Sequence, residues 1–339
     1  MFNLTIPIVK GIDPMHLDRS AYVEIIDPLV KALNDNYVFP DVAKEMGEML
    51  EIKVSKNEYE KVRTVEELCE VLTIDLRKIS KDKHLKLKYS QIEKSVDQKE
   101  SEIEQKEEYL LSSKVDNYGF YKVERLFGNI GYIDLREFHD PAVAAETGAN
   151  AMGLVANTEA LIFDLRNNGG GDPNMVAFLT SYLLDSEPVH LNSFYYRPDD
   201  DFKQFWTVPV LSAKRYVDKP VYILTSNYTF SGAEEFSYNL KQLKRATIIG
   251  EVTGGGANPG FIHQLTKHVS VFIPNGRAIN PITQTNWEGV GVQPDIETSK
   301  DGAFGVAYKK ALHHVIDQYQ GSRYYGFLVQ EAQKELTKM

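Results

Sequence analysis

The chain has 339 residues, with 38 Lys+Arg against 48 Asp+Glu for a formal net charge of −10, and it is 42% apolar and 25% charged. These are the fractions of a packed globular protein, which excludes a largely disordered chain, and the acidic balance lacks the basic stripe a nucleic-acid partner needs. No run approaches the roughly 18 apolar residues of a transmembrane helix, and the length suits two domains or one large domain with an appendage. The single cysteine, Cys69, excludes an intramolecular disulfide framework and sits in a helical pattern as a small packing residue. Met1–Thr5 has neither a basic nor a long apolar segment, so no signal peptide is expected there. The compartment stays undefined, since an exported chain whose signal was removed reads the same way.

The first ninety residues read as helices. Tyr22, Ile25, Ile26, Leu29, Val30 and Leu33 recur at helical spacing, and a second helix follows Pro40 over 41–52. Thr64-Val65-Glu66-Glu67 has the pattern of a capping box and announces a third, with Leu68, Val71, Leu72 and Leu76 on its apolar face. From His84 to Tyr89 the period falls to two, the sign of a strand. Residues 92–109, dense in Glu, Lys and Gln, predict a solvated helix or connector. Beyond Tyr118, short apolar runs alternate with helical segments. Residues 127–135 read as a turn feeding a strand, further strands are predicted at 160–165, 221–224 and 246–250, and helices at 142–156, 175–184 and 233–243. That alternation argues for an α/β domain with a largely parallel sheet. Strands and loops follow Thr266, and a C-terminal helix covers about 304–318.

Sites in such sheets form at the carboxyl ends of strands. Asp164–Gly171 ends in three glycines between a strand and a helix, where backbone N–H groups can face an anion or form an oxyanion hole. It lacks the ending of a phosphate loop, and a plain tight turn is the other reading. Ser231 stands at the entry of a helix, either as an N-cap or as a nucleophile served by the free amides and the dipole. Gly232 and Ala233 leave room beside it for a carbonyl. Gly250–Ala257 is a second glycine turn, a substrate-lining loop or a connector. Glu288, between Trp287 and Gly289, needs a partner to be catalytic. The eight histidines show no metal-binding spacing, so no metal is expected; His84 lies where a helix gives way to a strand.

Taken in order, these segments resemble the C-terminal processing (tail-specific) serine peptidases. The likeness is to the branch containing tricorn core proteases and interphotoreceptor retinoid-binding protein modules. It runs over roughly residues 18–318. Gly128–Ile133, Asp164–Gly171, Thr229–Glu235 with Gly250–Thr253, Glu288–Asp295 and Asp82-Lys83-His84-Leu85 carry it. The resemblance implies a ClpP/crotonase-like α/β catalytic domain behind a helical N-terminal domain. It also implies peptide hydrolysis through an acyl-enzyme, a peptide or protein substrate, and no cofactor. By the same resemblance Ser231 is the nucleophile, His84 the general base and Glu288 the acid of the charge network. Gly169 or Gly170, with the Gly232 N–H, forms the oxyanion hole.

Lysine-using relatives carry their base about 25 residues after the serine, where this chain has Gly256, so a Ser–Lys dyad is not expected at that place. Lys241, Lys244 and Lys267 are the spare amines nearest in sequence. The serine that precedes the tricorn histidine is Lys83 here. Residues 90–125 leave no room for an inserted PDZ domain. The expected organisation is a helical domain over 1–90, a charged connector over 91–117 and the α/β domain with its C-terminal helix over 118–339. His84 and Ser231 then fall in different domains, with the site where those domains face. The competing expectation is a non-catalytic carrier of hydrophobic, retinoid-like ligands, its cleft lined from the 16 Phe and 19 Tyr.

Overall fold

The computed structural model describes residues 19–339; Met1–Thr5 and His16 lie outside them. In chain order the helices and strands are α1 (Arg19–Asn36), α2 (Pro40–Ser55), α3 (Val65–Ser80), β1 (Lys86–Tyr89), α4 (Gln98–Val115), β2 (Phe120–Leu126) and β3 (Ile130–Leu135). Then come α5 (Pro141–Val155), β4 (Ala160–Asp164), α6 (Pro173–Leu183), β5 (His190–Tyr196), β6 (Asp201–Trp206), β7 (Val221–Thr225), α7 (Gly232–Gln242) and β8 (Thr247–Gly250). The chain closes with β9 (Gly260–Gln264), β10 (Val269–Pro274), β11 (Gly276–Ile279), β12 (Ile296–Glu297), α8 (Ala303–Tyr319) and α9 (Gly326–Leu336).

Contacts divide the chain into two compact units. Among the described residues the smaller holds 19–81, Leu85–Ser101 and Phe261–Ile273. In it α1, α2 and α3 share one apolar core with the antiparallel pair β1–β10, through residues such as Leu29, Met46, Leu72, Leu87 and Val271. Cys69 packs in that core, and burial pushes its thiol up to about 12, which makes it inert at neutral pH. Thr64 caps α3 by accepting the Glu67 N–H at 3.1 Å, as the sequence predicts. The Glu67 carboxylate reaches back one residue further than a capping box requires, to the Arg63 N–H at 2.8 Å.

The larger unit holds Asp82–His84, Glu102–Gly260 and Pro274–Met339. Its main sheet has the order β12-β8-β7-β4-β3-β2, parallel throughout except for β2 against β3. The central strands are continuous apolar runs because both of their faces are covered. Ile133, Leu161, Phe163, Ile223 and Ile248 face the core shared with α5, α6 and α7. Ile130, Ile162, Tyr222, Leu224 and Ile249 face the one shared with α8 and α9. A second sheet, β11-β5-β6, and the short helix α9 have no counterpart in the sequence reading. Register carries β4, β7 and β8 to one end: Asp164 pairs Leu224, and Thr225 pairs Gly250. The loops after all three strands therefore emerge side by side. Among the described residues no helix is long and apolar enough to cross a membrane.

Candidate active site

The Ser231 turn is fixed before its side chain is considered. After β7, the Ser226 N–H donates to Thr229 Oγ1 (2.9 Å), the Thr229 hydroxyl to the Leu165 carbonyl (2.8 Å), and the Phe230 N–H to the Asn168 carbonyl (3.2 Å). Ser226 is buried and donates its own hydroxyl to the Arg166 carbonyl at 2.7 Å, so it is a structural residue of the turn. At Ser231 the chain reverses with φ 53° and ψ −122° and enters α7. A side chain in that conformation costs on the order of 1–3 kcal/mol, and it is held only where the surroundings over-determine it. Here the Ser231 N–H donates to Glu234 Oε2 at 2.9 Å.

The first glycine turn lies directly against the serine. A Cβ on Gly170, whose φ is +117°, would stand 2.7 Å from Ser231 Cβ and 2.9 Å from the Gly232 nitrogen, so only glycine fits. The Gly170 N–H is already committed to Asn168 Oδ1 at 2.8 Å, and Asn168 is itself buried and anchored to the Leu135 carbonyl. Among the described residues, the amides of Gly169 and Gly232 donate to nothing in the chain. Of the two sequence candidates that accompany Gly232, Gly169 is the one whose donor is uncommitted. Beside this turn is a cavity of about 230 Å³ lined by Arg136, Glu137, Gly169, Gly170, Gly171 and Tyr228.

His84 belongs to the same compact unit as Ser231, not to the helical one in which sequence order placed it. Its ring packs on Phe230, the neighbour of Ser231, with centroids 4.5 Å apart. Asp82 is buried. Its Oδ1 accepts the His84 N–H at 2.9 Å and stands 3.7 Å from His84 Nδ1, and its Oδ2 accepts from Asn258 Nδ2 at 2.9 Å. Glu288 completes the group: one polar atom each of Asp82, His84 and Glu288 lie within 4.8 Å of one another. Glu288 Oε2 accepts the Ala257 N–H at 2.6 Å, while Oε1 is buried and has no hydrogen-bond partner among the described residues. Burial first, and then the charge of Asp82, push the Glu288 carboxyl up to about 8. The two acids beside His84 therefore oppose each other's ionisation.

Gly256 occupies the place of the relatives' lysine for a steric reason. A Cβ there would stand 2.1 Å from Phe230 Cζ and 2.7 Å from His84 Cε1, so the two rings fill the space a side chain needs. Lys241 is paired with Asp295 (2.9 Å), Lys267 with Glu93 (3.1 Å), and Lys83 donates to the Gly254 carbonyl (2.6 Å). A second compact histidine–acid group, Asp116, Glu137 and His139, is joined internally by a 3.2 Å contact between His139 Nε2 and Asp116.

Sequence reasoning passed over Glu234 and gave no role to Asp82. The signals were present: a Ser-x-x-Glu spacing at 231–234, and an aspartate two residues before the histidine. Asn258 and Asn168, which hold Asp82 and Gly170, carry no local signal at all.

A strand, a strained serine turn and a helix sit on a mostly parallel sheet with glycine turns alongside. The model of peptidase family S41 matches residues 129–298, and that of the N-terminal domain of peptidase S41 in eukaryotic IRBP matches residues 16–122. The chain belongs to peptidase family S41. Carboxyl-terminal-processing peptidase 1, chloroplastic, of Arabidopsis thaliana is 26% identical over 181 residues, 53% of this chain and 35% of the relative. Carboxyl-terminal-processing peptidase 2 of the same plant is 26% identical over 166 residues, 49% of this chain and 31% of the relative. The matched stretch thus spans about a third of these curated relatives. Among solved structures, a putative peptidase from Parabacteroides merdae superposes with TM-score 0.60 at 21% identity, covering 86% of this chain and 96% of that one. The tricorn protease superposes with TM-score 0.55 at 13% identity, covering 88% and 37%. At those identities the likeness speaks for the fold alone.

Proposed function

We propose that this chain is a serine peptidase working by acyl transfer, with Ser231 as nucleophile and His84 as general base. The observation that carries the reading is the Ser231 turn. It is a strained, over-determined serine at a helix entry, with the uncommitted Gly232 and Gly169 amides beside it and the His84 ring packed on its neighbour.

Asp82 Oδ1 stands 3.7 Å from His84 Nδ1, longer than a hydrogen bond, and closing that gap in the substrate complex fixes the tautomer that leaves Nε2 to accept a proton. The Ser231 Oγ attacks the scissile carbonyl carbon as its proton passes to His84. The resulting oxyanion is met by the Gly232 and Gly169 N–H groups at the positive end of α7. The tetrahedral intermediate collapses as His84 returns the proton to the leaving amine. A water, deprotonated by the same imidazole, then releases the acid and regenerates the hydroxyl. Glu288, whose carboxyl burial and the Asp82 charge push up, stands beside the same imidazole as the second acid. The cavity beside Gly169–Gly171 receives a substrate side chain next to the scissile bond.

The retinoid-like carrier reading rested on aromatic content. Phe138, Phe163, Phe236 and Tyr182 lie in the packed core, and the cavity is lined by Arg136, Glu137 and three glycines with Tyr228 as its one aromatic. A fluorophosphonate serine probe tests the proposal: mass spectrometry should locate the adduct on Ser231, and Ser231→Ala should take none. An adduct on another serine, or peptidase turnover retained by Ser231→Ala, overturns it.

A further inference from the structure

Glu234 accepts four hydrogen bonds beside the Ser231 turn, yet nothing in the acyl-transfer scheme requires it. It is fully buried, one turn into α7. Its Oε2 accepts the N–H of Ser231 at 2.9 Å and the N–H of Gly256 at 2.8 Å. Its Oε1 accepts the Thr253 hydroxyl at 2.5 Å and the N–H of Gly255 at 2.6 Å. One side chain therefore ties the strained serine turn to the 253–256 loop.

That loop carries the other half of the site. The Gly256 backbone backs onto His84 Cε1 and the Phe230 ring. The Gly256 carbonyl accepts from Trp287 Nε1 at 2.7 Å, and the Gly255 carbonyl accepts the Gly289 N–H at 3.0 Å, which seats the segment holding Glu288. Thr253 Oγ1 also accepts the Val292 N–H at 2.7 Å. The serine turn, the surface under the imidazole and the Glu288 segment all refer their positions to one carboxylate.

We infer that Glu234 is a positioning residue of the peptidase: it holds Ser231 in its left-handed conformation and in register with His84. The inference rests on the reading of Ser231 as nucleophile. The chemistry asks for a carboxylate, because all four neighbours are donors. A carboxylate has acceptor sites for all of them, whereas a glutamine in either orientation turns an NH2 donor against at least one N–H group. Burial raises the Glu234 carboxyl to about 6, and the four donors oppose that rise, so it is charged at neutral pH.

The test compares wild type, Glu234→Gln and the milder Thr253→Ala, in the full chain at pH 7.5, by peptide kinetics and by the rate of fluorophosphonate labelling. A misplacement of about an ångström costs on the order of 100-fold in rate. The expected result for Glu234→Gln is a fall of that size in kcat and in labelling rate with KM unchanged, since Glu234 touches no substrate. Thr253→Ala, which removes one of four donors and leaves the carboxylate, should show a several-fold fall of the same kind. Should Glu234→Gln fail to fold, as read by circular dichroism, Thr253→Ala decides alone. Folded variants that label at the wild-type rate, or a loss that appears in KM with kcat intact, overturn the inference while wild type still labels at Ser231. A wild-type chain that takes no label overturns the reading of Ser231 and this inference with it.

Discussion

On the Ser231 side of the site, one carboxylate accepts four hydrogen bonds and spends its charge on backbone amides and a hydroxyl. On the His84 side, two acids crowd one imidazole, and a buried oxygen of Glu288 is left without a partner among the described residues. Both sides bury carboxyl groups. Glu234 has donors enough to stay charged near neutral pH, and Glu288, facing another acid, has not. The difference teaches that a buried acid keeps its charge where donors meet it and loses it readily where another acid does.

The largest effect expected from breaking this arrangement is on the nucleophile. Ser231→Ala should lower kcat/KM by about three orders of magnitude or more, measured on any peptide the wild type cleaves, while the melting temperature stays close to that of wild type. Turnover within tenfold of wild type would move the reaction elsewhere. His84→Ala should be nearly as damaging.

The sharpest division between the two acids comes next. Asp82→Asn should lower kcat/KM by roughly 100- to 10,000-fold, as expected for the loss of the carboxylate that orients a catalytic imidazole. Glu288→Gln should cost less than about tenfold at pH 7, because burial and the Asp82 charge already favour the neutral form of that side chain. Glu288→Gln and wild type should part above about pH 8, where only the wild type gains a second negative charge beside His84. Equal losses for the two substitutions at pH 7 would restore Glu288 as the working carboxylate.

A smaller effect, in stability alone, tests the strain at Ser231. Glycine adopts φ 53° without penalty, so Ser231→Gly should be inactive yet more stable than Ser231→Ala by about 1 kcal/mol in urea unfolding. No difference between the two would mean that the turn carries no strain.

A further change, in the pH dependence of stability, concerns Glu235, which burial pushes up to about 8. The folded protein keeps that proton between the ordinary glutamate value and about pH 8, whereas the unfolded chain releases it. The unfolded state therefore binds fewer protons in this window, and stability falls as pH rises through it. Melting curves of wild type and Glu235→Gln from pH 5 to 9 should diverge on the alkaline side, with the variant losing less. Parallel curves would show that Glu235 titrates normally in the folded chain.

How much of this was legible beforehand follows from the range of the forces involved. The apolar runs at 160–165 and 221–224 fixed buried parallel strands, because only strands covered on both faces can be continuously apolar. The glycines at 169–171 and 254–256 marked turns, because a backbone that must approach another backbone admits no Cβ. Family likeness carried Ser231, His84 and Glu288. What no local pattern could supply was the state of the acids. Asp82 and Glu288 are more than 200 positions apart in the chain, and their mutual repulsion exists only once the fold has brought them together. The same holds for Asn258 steadying Asp82, Asn168 claiming the Gly170 amide, and His84 falling into the compact unit of Ser231. Periodicity and turn chemistry are set by neighbours in sequence, but a pKa and a committed donor are set by neighbours in space.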